Sequence, residues 1–169
     1  MKEKLILHDL TKEQEVQLLS FNSNSHTVFS AIPMVKSCIG CFGCWTKTPG
    51  KCVIKDRANE FSRLMATHEA LIIISRMAFG GVSPEIKAVL DRSIGFILPF
   101  FTMVRNEMHH IKRFENIPDL KCIFYEKEIS QQEKDIAKKL VEANAVNFNS
   151  NNYKAVFCNN LENIGAVLK

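Results

Sequence analysis

Five short apolar runs constrain the fold more than anything else in this chain: Leu5–Leu7, Thr27–Ile32, Leu71–Ser75, Leu120–Tyr125 and Tyr153–Cys158. They are near-continuous in Ile, Val, Leu and Phe rather than alternating with polar residues. Strands buried on both faces, as in a parallel sheet covered by helices, read this way. Amphipathic segments with start signals fill the spaces between them. Thr11 with Gln14 forms a capping box opening a helix through Val16, Leu18 and Leu19, and Asp56 is placed to cap a helix whose inner face is Phe61, Leu64 and Met65. Ser83 before Pro84 starts a helix in which Ile86, Val89, Leu90, Ile94 and Ile97 recur at three-to-four spacing. Ser130 with Glu133 is a second capping box ahead of Ile136, Ala137, Leu140 and Val141, and the asparagine-rich stretch Asn147–Asn152 ends that helix.

Strands alternating with helices give βαβ units with right-handed crossovers. Five strands in 169 residues predict one α/β domain spanning 1–169: a flavodoxin-like, doubly wound, five-stranded parallel sheet with helices on both faces. The Rossmann alternative lacks its fingerprint, because no G-x-G-x-x-G follows the first strand. Ligands of such sheets bind beyond the carboxyl ends of the strands. The segment Phe96–Ile117, with Phe96, Ile97, Leu98, Pro99, Phe100 and Phe101, is either a core extension or a dimer surface, and the reading favours the dimer surface.

Composition narrows the function. The net charge of +4 is mild and the bases are scattered, which argues against nucleic acid as a partner and suits attraction of small anions such as phosphates. The opening apolar run is too short for a signal peptide and no run reaches membrane-span length, so the expectation is a cytoplasmic protein without a membrane partner. Thiols stay reduced there, so six cysteines need a reason other than disulfides. Cys122 and Cys158 lie inside strands and read as small core residues.

Cys38-Ile39-Gly40-Cys41-Phe42-Gly43-Cys44, followed by Trp45 and, beyond Thr48-Pro49-Gly50, by Cys52, puts three sulfurs on one tight loop with a fourth nearby. That spacing suits an iron–sulfur cluster. Gly40, Gly43 and Gly50 let the backbone bend around it. Zinc is the second metal reading, and unmetallated thiols shaping a loop are the plainer alternative, which the residues by themselves favour. A second feature is Arg76-Met77-Ala78-Phe79-Gly80-Gly81-Val82 between a buried strand and a capped helix. Its glycines permit close approach to a planar ligand, N–H groups at Gly80, Gly81 and Val82 can bond its heteroatoms, and Phe79 can stack on a ring. A plain glycine turn is the alternative. His109 and His110, taken as neighbours on a helix, point about 100° apart and read as surface or interface residues.

The run C-I-G-C-F-G-C-W-T-K-T-P-G-K-C-V-I-K-D resembles the cysteine segment of the NADPH-dependent FMN reductase and iron–sulfur flavoprotein family. F-G-G-V-S-P-E-I-K-A-V-L-D-R resembles that family's flavin loop and following helix, and Glu107-Met108-His109-His110 through Arg113 is similar to a segment before its fourth strand. The resemblance covers roughly residues 30–125. It implies a flavodoxin-like fold, bound FMN, electrons drawn from NAD(P)H or a ferredoxin, and homodimers or homotetramers. It also implies a 4Fe–4S cluster on Cys38, Cys41, Cys44 and Cys52 in the iron–sulfur members, and flavin contacts from Arg76, Met77, Ala78, Phe79, Gly80 and Gly81. The chain departs from the family pattern after the first strand. A glycine- and hydroxyl-rich phosphate loop is replaced by His8-Asp9-Leu10-Thr11-Lys12-Glu13-Gln14-Glu15, where Thr11 and Lys12 alone favour an anion and Arg76 is a further cation.

The leading expectation is therefore an FMN-dependent oxidoreductase using NAD(P)H, with no catalytic side chain assigned because the cofactor carries the chemistry. An iron–sulfur electron-transfer protein and a flavodoxin-like scaffold without flavin are the competitors. The leading reading expects the glycine turn and the cysteine loop to share one redox pocket.

Overall fold

A computed structural model describes residues 3–20, 26–161 and 164. Its five-stranded sheet is built from β1 (Lys4–His8), β2 (His26–Ser30), β3 (Ala70–Arg76), β6 (Asp119–Tyr125) and β7 (Tyr153–Cys158), in the order β2-β1-β3-β6-β7. Every neighbouring pair is parallel, with Leu5 opposite Thr27 and Leu71, Leu71 opposite Leu120, and Cys122 opposite Ala155. Each of the five apolar runs forms one of these strands. The second stops at Ser30, two residues short of the expected Ile32.

Successive side chains of a strand point to opposite faces, and here both faces are apolar. Leu5, Leu7, Leu71, Ile73, Cys122 and Phe124 join one core; Ile6, Ile72, Ile74 and Ile123 join the other. The first is covered by α3 (Phe61–Ala66), α4 (Pro84–Asp91) and α5 (Gln131–Asn147), through Phe61, Met65, Ile86, Val89, Ala137 and Val141. The second receives Leu10, at the approach to α1 (Lys12–Ser20), and Ile164. Both faces are thus buried, which is why the strands carry no polar stripe.

The helix starts follow local chemistry. Ser83 Oγ accepts from Ile86 N at 3.4 Å with Pro84 at the first helical position. Ser130 and Glu133 form the complete reciprocal box. Thr11 N–H donates to Gln14 Oε1 at 2.8 Å, and Gln14 N–H donates to Thr11 Oγ1 at 3.4 Å. The side chains of Leu18 and Leu19 lie outside the described residues.

Three expectations are corrected. Asp56 caps no helix: α3 begins at Phe61 after Glu60, and Asp56 Oδ1 instead accepts from Ala58 N–H at 3.0 Å in a tight local turn. The helix from Ser83 ends at Asp91, before Ile94 and Ile97, because Ser93 Oγ donates to Leu90 O at 2.6 Å and a short turn over Ile94–Phe96 follows. His109 and His110 are not helical. They lie on β5 (Glu107–Lys112), which pairs antiparallel with β4 (Ile97–Val104) through a turn at Arg105 and Asn106, whose φ values are 51° and 63°. Two adjacent positive φ values are the backbone a two-residue hairpin needs, and without a glycine the sequence does not announce it.

The hairpin is anchored at its base. Phe96 is fully buried against Phe114 and Phe148, with ring centroids 5.6 and 6.0 Å away, and Arg113 Nε donates to Gly95 O at 2.8 Å. Its outer residues Phe100, Phe101, Met103 and Met108 are exposed. Replacing Phe96 by Ala is expected to lower unfolding free energy by about 3–5 kcal/mol through loss of packing and a residual cavity. Urea unfolding measures this, and an unchanged midpoint would show that Phe96 is no anchor.

Candidate functional site

Parallel pairing places the carboxyl ends of β1, β3 and β6 side by side, and three residues there meet directly. Asp9, just past β1, is buried. Its carboxylate accepts from Arg76 N–H at 2.9 Å and from Tyr125 Oη–H at 2.9 Å, with Ser75 Oγ 3.5 Å away. The carboxylate fills the gap between three strand ends with the protein's own anion. Burial first, and the Asp9 charge second, push the Tyr125 hydroxyl well above its ordinary range.

Around this plug lie the residues singled out for flavin. Thr11 and Lys12 are exposed at the start of α1, but Thr11 is already bonded reciprocally to Gln14. Glu13 follows, its carboxyl held below the ordinary value by its own backbone N–H and by Thr11. Arg76 is exposed, and Met77 is buried in the main core. Ala78 and Gly81 close a two-residue hairpin, exchanging N–H···O bonds of 3.0 and 2.8 Å across Phe79 and Gly80. The Gly81 N–H is therefore committed inside the turn and is not free for a ligand, contrary to expectation.

Phe79, with φ 51°, is 98% exposed. Gly80 has φ 80°, and a Cβ there would lie 2.8 Å from Ile136, so glycine is required by both backbone and packing. This bare aromatic turn fits the ring of a planar cofactor. The phosphate side fits less well, since it offers no glycine cradle and only the Thr11 and Lys12 side chains.

The cysteine segment occupies the long connection between β2 and α3 and contains α2 (Gly43–Thr46). Gly40 and Gly50 have φ of 65° and 77°, and Gly43 sits where a Cβ would fall 2.5 Å from Val53, so all three glycines serve the bend. Trp45 Nε1–H donates to Ile94 O at 3.1 Å and Ile97 O at 2.9 Å, fastening the loop to the base of the hairpin. Trp45 also stacks on Phe42 at 5.2 Å and meets the ring of His110 at 5.0 Å. His110 is thereby an aromatic packing residue, whereas His109 bonds Glu107 and Asn147 on the other face of the strand.

Cys38, Cys41, Cys44 and Cys52 border one largely apolar cavity of about 100 Å³, together with Phe42 and Arg92. Cys38 and Cys41 are exposed; Cys44 and Cys52 are buried. Burial, and then the neighbouring Cys52, raise the Cys44 thiol above its ordinary range, with Cys38 and Cys41 adding to the effect. Among the described residues no three His, Cys, Asp or Glu side chains are placed together as a metal site requires. An iron–sulfur cluster is held by thiolates, and the four cysteines bordering this cavity are that type of donor.

The two features do not share a pocket. No residue of the glycine turn borders the thiol cavity. Gly81 and Val82 border a separate cleft of about 510 Å³, and the two spaces have only Ile94 in common. The reason is α4. The glycine turn precedes its amino end, and the thiol cavity abuts Arg92 just past its carboxyl end. Eight helical residues make α4 about 12 Å long, with one feature at each end.

Sequence reasoning missed Arg92 and Tyr125 as site residues. The available signal for Arg92 was a cation three residues after Val89, among Leu90, Ile94 and Phe96.

No protein-family model matches the chain. Over 65 residues it is 43% identical to an iron–sulfur flavoprotein of Methanocaldococcus jannaschii, a match covering 36% of this chain and 33% of that protein. The match thus spans about a third of that relative's length. Among solved structures, an NAD(P)H:quinone oxidoreductase of Methanothermobacter marburgensis superposes with a TM-score of 0.62 at 10% identity, covering 99% of this chain and 92% of that one. An FMN-dependent NADH-azoreductase of Bacillus anthracis, in complex with FMN, gives 0.58 at 12% identity over 93% and 86% of the two chains. The fold is flavodoxin-like. No described helix is long and apolar enough to cross a membrane.

Two outcomes test this geometry. Brief alkylation of the metal-free chain at neutral pH is expected to modify Cys38 and Cys41 well before Cys44, Cys52, Cys122 and Cys158, as peptide mass mapping reads; Cys122 is the most resistant, its thiol pushed up to about 12 by burial. Equal labelling of Cys44 and Cys38 would contradict the buried placement. At alkaline pH the unfolded chain releases a tyrosine proton near about pH 10 while folded Tyr125 keeps its own. The unfolded state then binds fewer protons, so stability falls as pH rises through that value. Asp9→Asn removes the Asp9 charge, the largest cause after burial, and the fall in urea midpoint becomes shallower. An identical slope in the variant would remove Asp9 as a cause.

Proposed function

We propose that this protein is a flavin-dependent oxidoreductase that binds FMN at the carboxyl edge of its sheet and takes electrons from NAD(P)H. The observation that carries the reading is the bare Phe79–Gly80 turn at the end of β3, within a fold shared with FMN-dependent NAD(P)H reductases. Bound flavin supplies the redox chemistry, accepting electrons in pairs and releasing them singly. The chain supplies binding and orientation. Phe79, with Arg76, Ala78, Gly80 and Gly81, forms the platform for the ring and Met77 anchors that turn in the core, while the Thr11 hydroxyl and the Lys12 ammonium face the phosphate. Asp9 ties the Arg76 N–H and the Tyr125 hydroxyl together at the sheet edge beside that platform. No side chain is assigned as a general acid or base.

The four thiols extend the same reading. Cys38, Cys41, Cys44 and Cys52 would hold a 4Fe–4S cluster, in a compartment such as the cytoplasm where thiols remain reduced, and it would supply one-electron transfer. Support comes from their common cavity and from the partial match to an iron–sulfur flavoprotein. A second copy of the chain, as a homodimer or homotetramer, covers Phe100, Phe101, Met103 and Met108.

The buried Asp9 carboxylate favours one rival, a cluster-only electron carrier, because it occupies the strand ends where a flavin phosphate finds its donors in other doubly wound proteins. Anaerobic purification separates the two. The flavin reading expects quenching of FMN fluorescence on titration and bleaching of the flavin band by NADH or NADPH. Protein that carries iron and sulfide yet leaves FMN fluorescence untouched at every concentration overturns it in favour of the carrier.

A further inference from the structure

A fully buried arginine needs an explanation, since an uncompensated charge in a core is strongly unfavourable. Arg92 is 1% exposed. Its Nη1 pairs with Asp56 and donates to Lys36 O at 3.2 Å; its Nη2 donates to Ile54 O at 3.0 Å. Its Nε–H donates to Cys52 Sγ at 3.4 Å. Asp56 in turn accepts from Lys36 N–H at 3.2 Å. Burial works against ionisation of Asp56, but the guanidinium and the Ala58 and Lys36 N–H groups outweigh it and hold the carboxyl below its ordinary value.

One guanidinium therefore clamps both flanks of the cysteine loop: Lys36, two residues before Cys38, and Ile54, two residues after Cys52. The clamp falls where the chain most needs it. Cys38, Cys41 and Cys44 follow one another at fixed short intervals, but seven residues separate Cys44 from Cys52, so covalent spacing does not fix the fourth sulfur. The fourth interaction, with Cys52 Sγ, is the informative one. A neutral thiol is a poor acceptor, and a charged N–H gains little from it; a sulfur carrying negative charge is a strong acceptor for the same donor.

We propose that Arg92 is a positioning residue that fixes Cys52 as the fourth ligand of a metal–sulfur centre and, through its Nε–H···Sγ bond, sets that centre's electron affinity. This rests on the four cysteines holding a cluster. A hydrogen bond to a ligating sulfur withdraws charge from the metal and favours the reduced form. Asp56 balances the guanidinium, so the Cys52 bond adds directional stabilisation on one ligand.

The test uses the full chain, reconstituted anaerobically with iron and sulfide, as wild type, Arg92→Lys and Arg92→Gln. Loss of iron to a ferrous chelator is expected to be about 10–100-fold faster in both variants. Dye-mediated titration is expected to move both midpoints to more negative potential, further for Gln than for Lys. A wild type that loads iron and sulfide, beside folded variants that match it in iron loss and midpoint, overturns the role of Arg92 alone. A wild type that takes up neither iron nor sulfide overturns the cluster reading and this inference with it. Should the variants fail to fold by circular dichroism, wild-type protein grown on heavy-nitrogen arginine decides: pulsed electron paramagnetic resonance of the reduced cluster is expected to show coupling to a guanidinium nitrogen. No coupling overturns the inference.

Discussion

Parallel register is the constraint on which the rest depends. Once β1 pairs in parallel with both β2 and β3, the chain must leave each carboxyl end and cross over a face before it can pair again. Every functional segment found here is such a departure. Asp9 leaves β1, the cysteine loop leaves β2, the glycine turn leaves β3, and Tyr125 ends β6. Asp9, Arg76 and Tyr125, distant in sequence, become neighbours because the strand order sets three carboxyl ends side by side. The geometry of the edge is a property of the sheet, and each loop inherits its place from it.

The connection between β2 and α3 is long and has little regular structure beyond α2. Segments like it are uncommon in compact domains and are usually tied to function. Here two side chains hold it: half-buried Trp45 fastens the loop's middle to the turn after α4, and buried Arg92 fastens its two flanks. Both ties end on the stretch 92–97, so the short turn between α4 and β4 is the keystone between the cysteine loop and the hairpin. Gly95 shows how close that junction is, for a Cβ there would lie 3.2 Å from Cys44.

The legibility of these features in sequence follows the range of the interactions behind them. Strands whose two faces are both apolar announce themselves in five or six residues, and Ser83-Pro84 or Ser130 with Glu133 announces a helix start in four, because the forces act within that span. Asp56 was misread because an acid before an apolar run looks the same whether it caps a helix or meets an arginine 36 residues away; the second partner won. The hairpin of β4 and β5 was hidden for a related reason. Its turn at Arg105 and Asn106 takes positive φ without glycine, and Phe96–Phe101 is equally suited to a helix face and to a strand. The cysteines were legible as a set, but their separation from the glycine turn was not, since that depends on the length and direction of α4.

The separation bears directly on how electrons would pass between the two proposed centres. Within one chain the thiol cavity and the Phe79 turn lie at opposite ends of α4, with Ile94 shared between the thiol cavity and the cleft that reaches Gly81. Cys38 and Cys41 are exposed, and the apolar hairpin residues are exposed as well. A chain that kept its transfer internal would have reason to bury its outer cysteines and to place the turn in the same cavity. This arrangement instead suits transfer across a surface, to a second copy or to a small acceptor. With a cluster on the four thiols, Arg92 would grip Cys52 on the buried side and leave Cys38 and Cys41 as the exposed side of that centre.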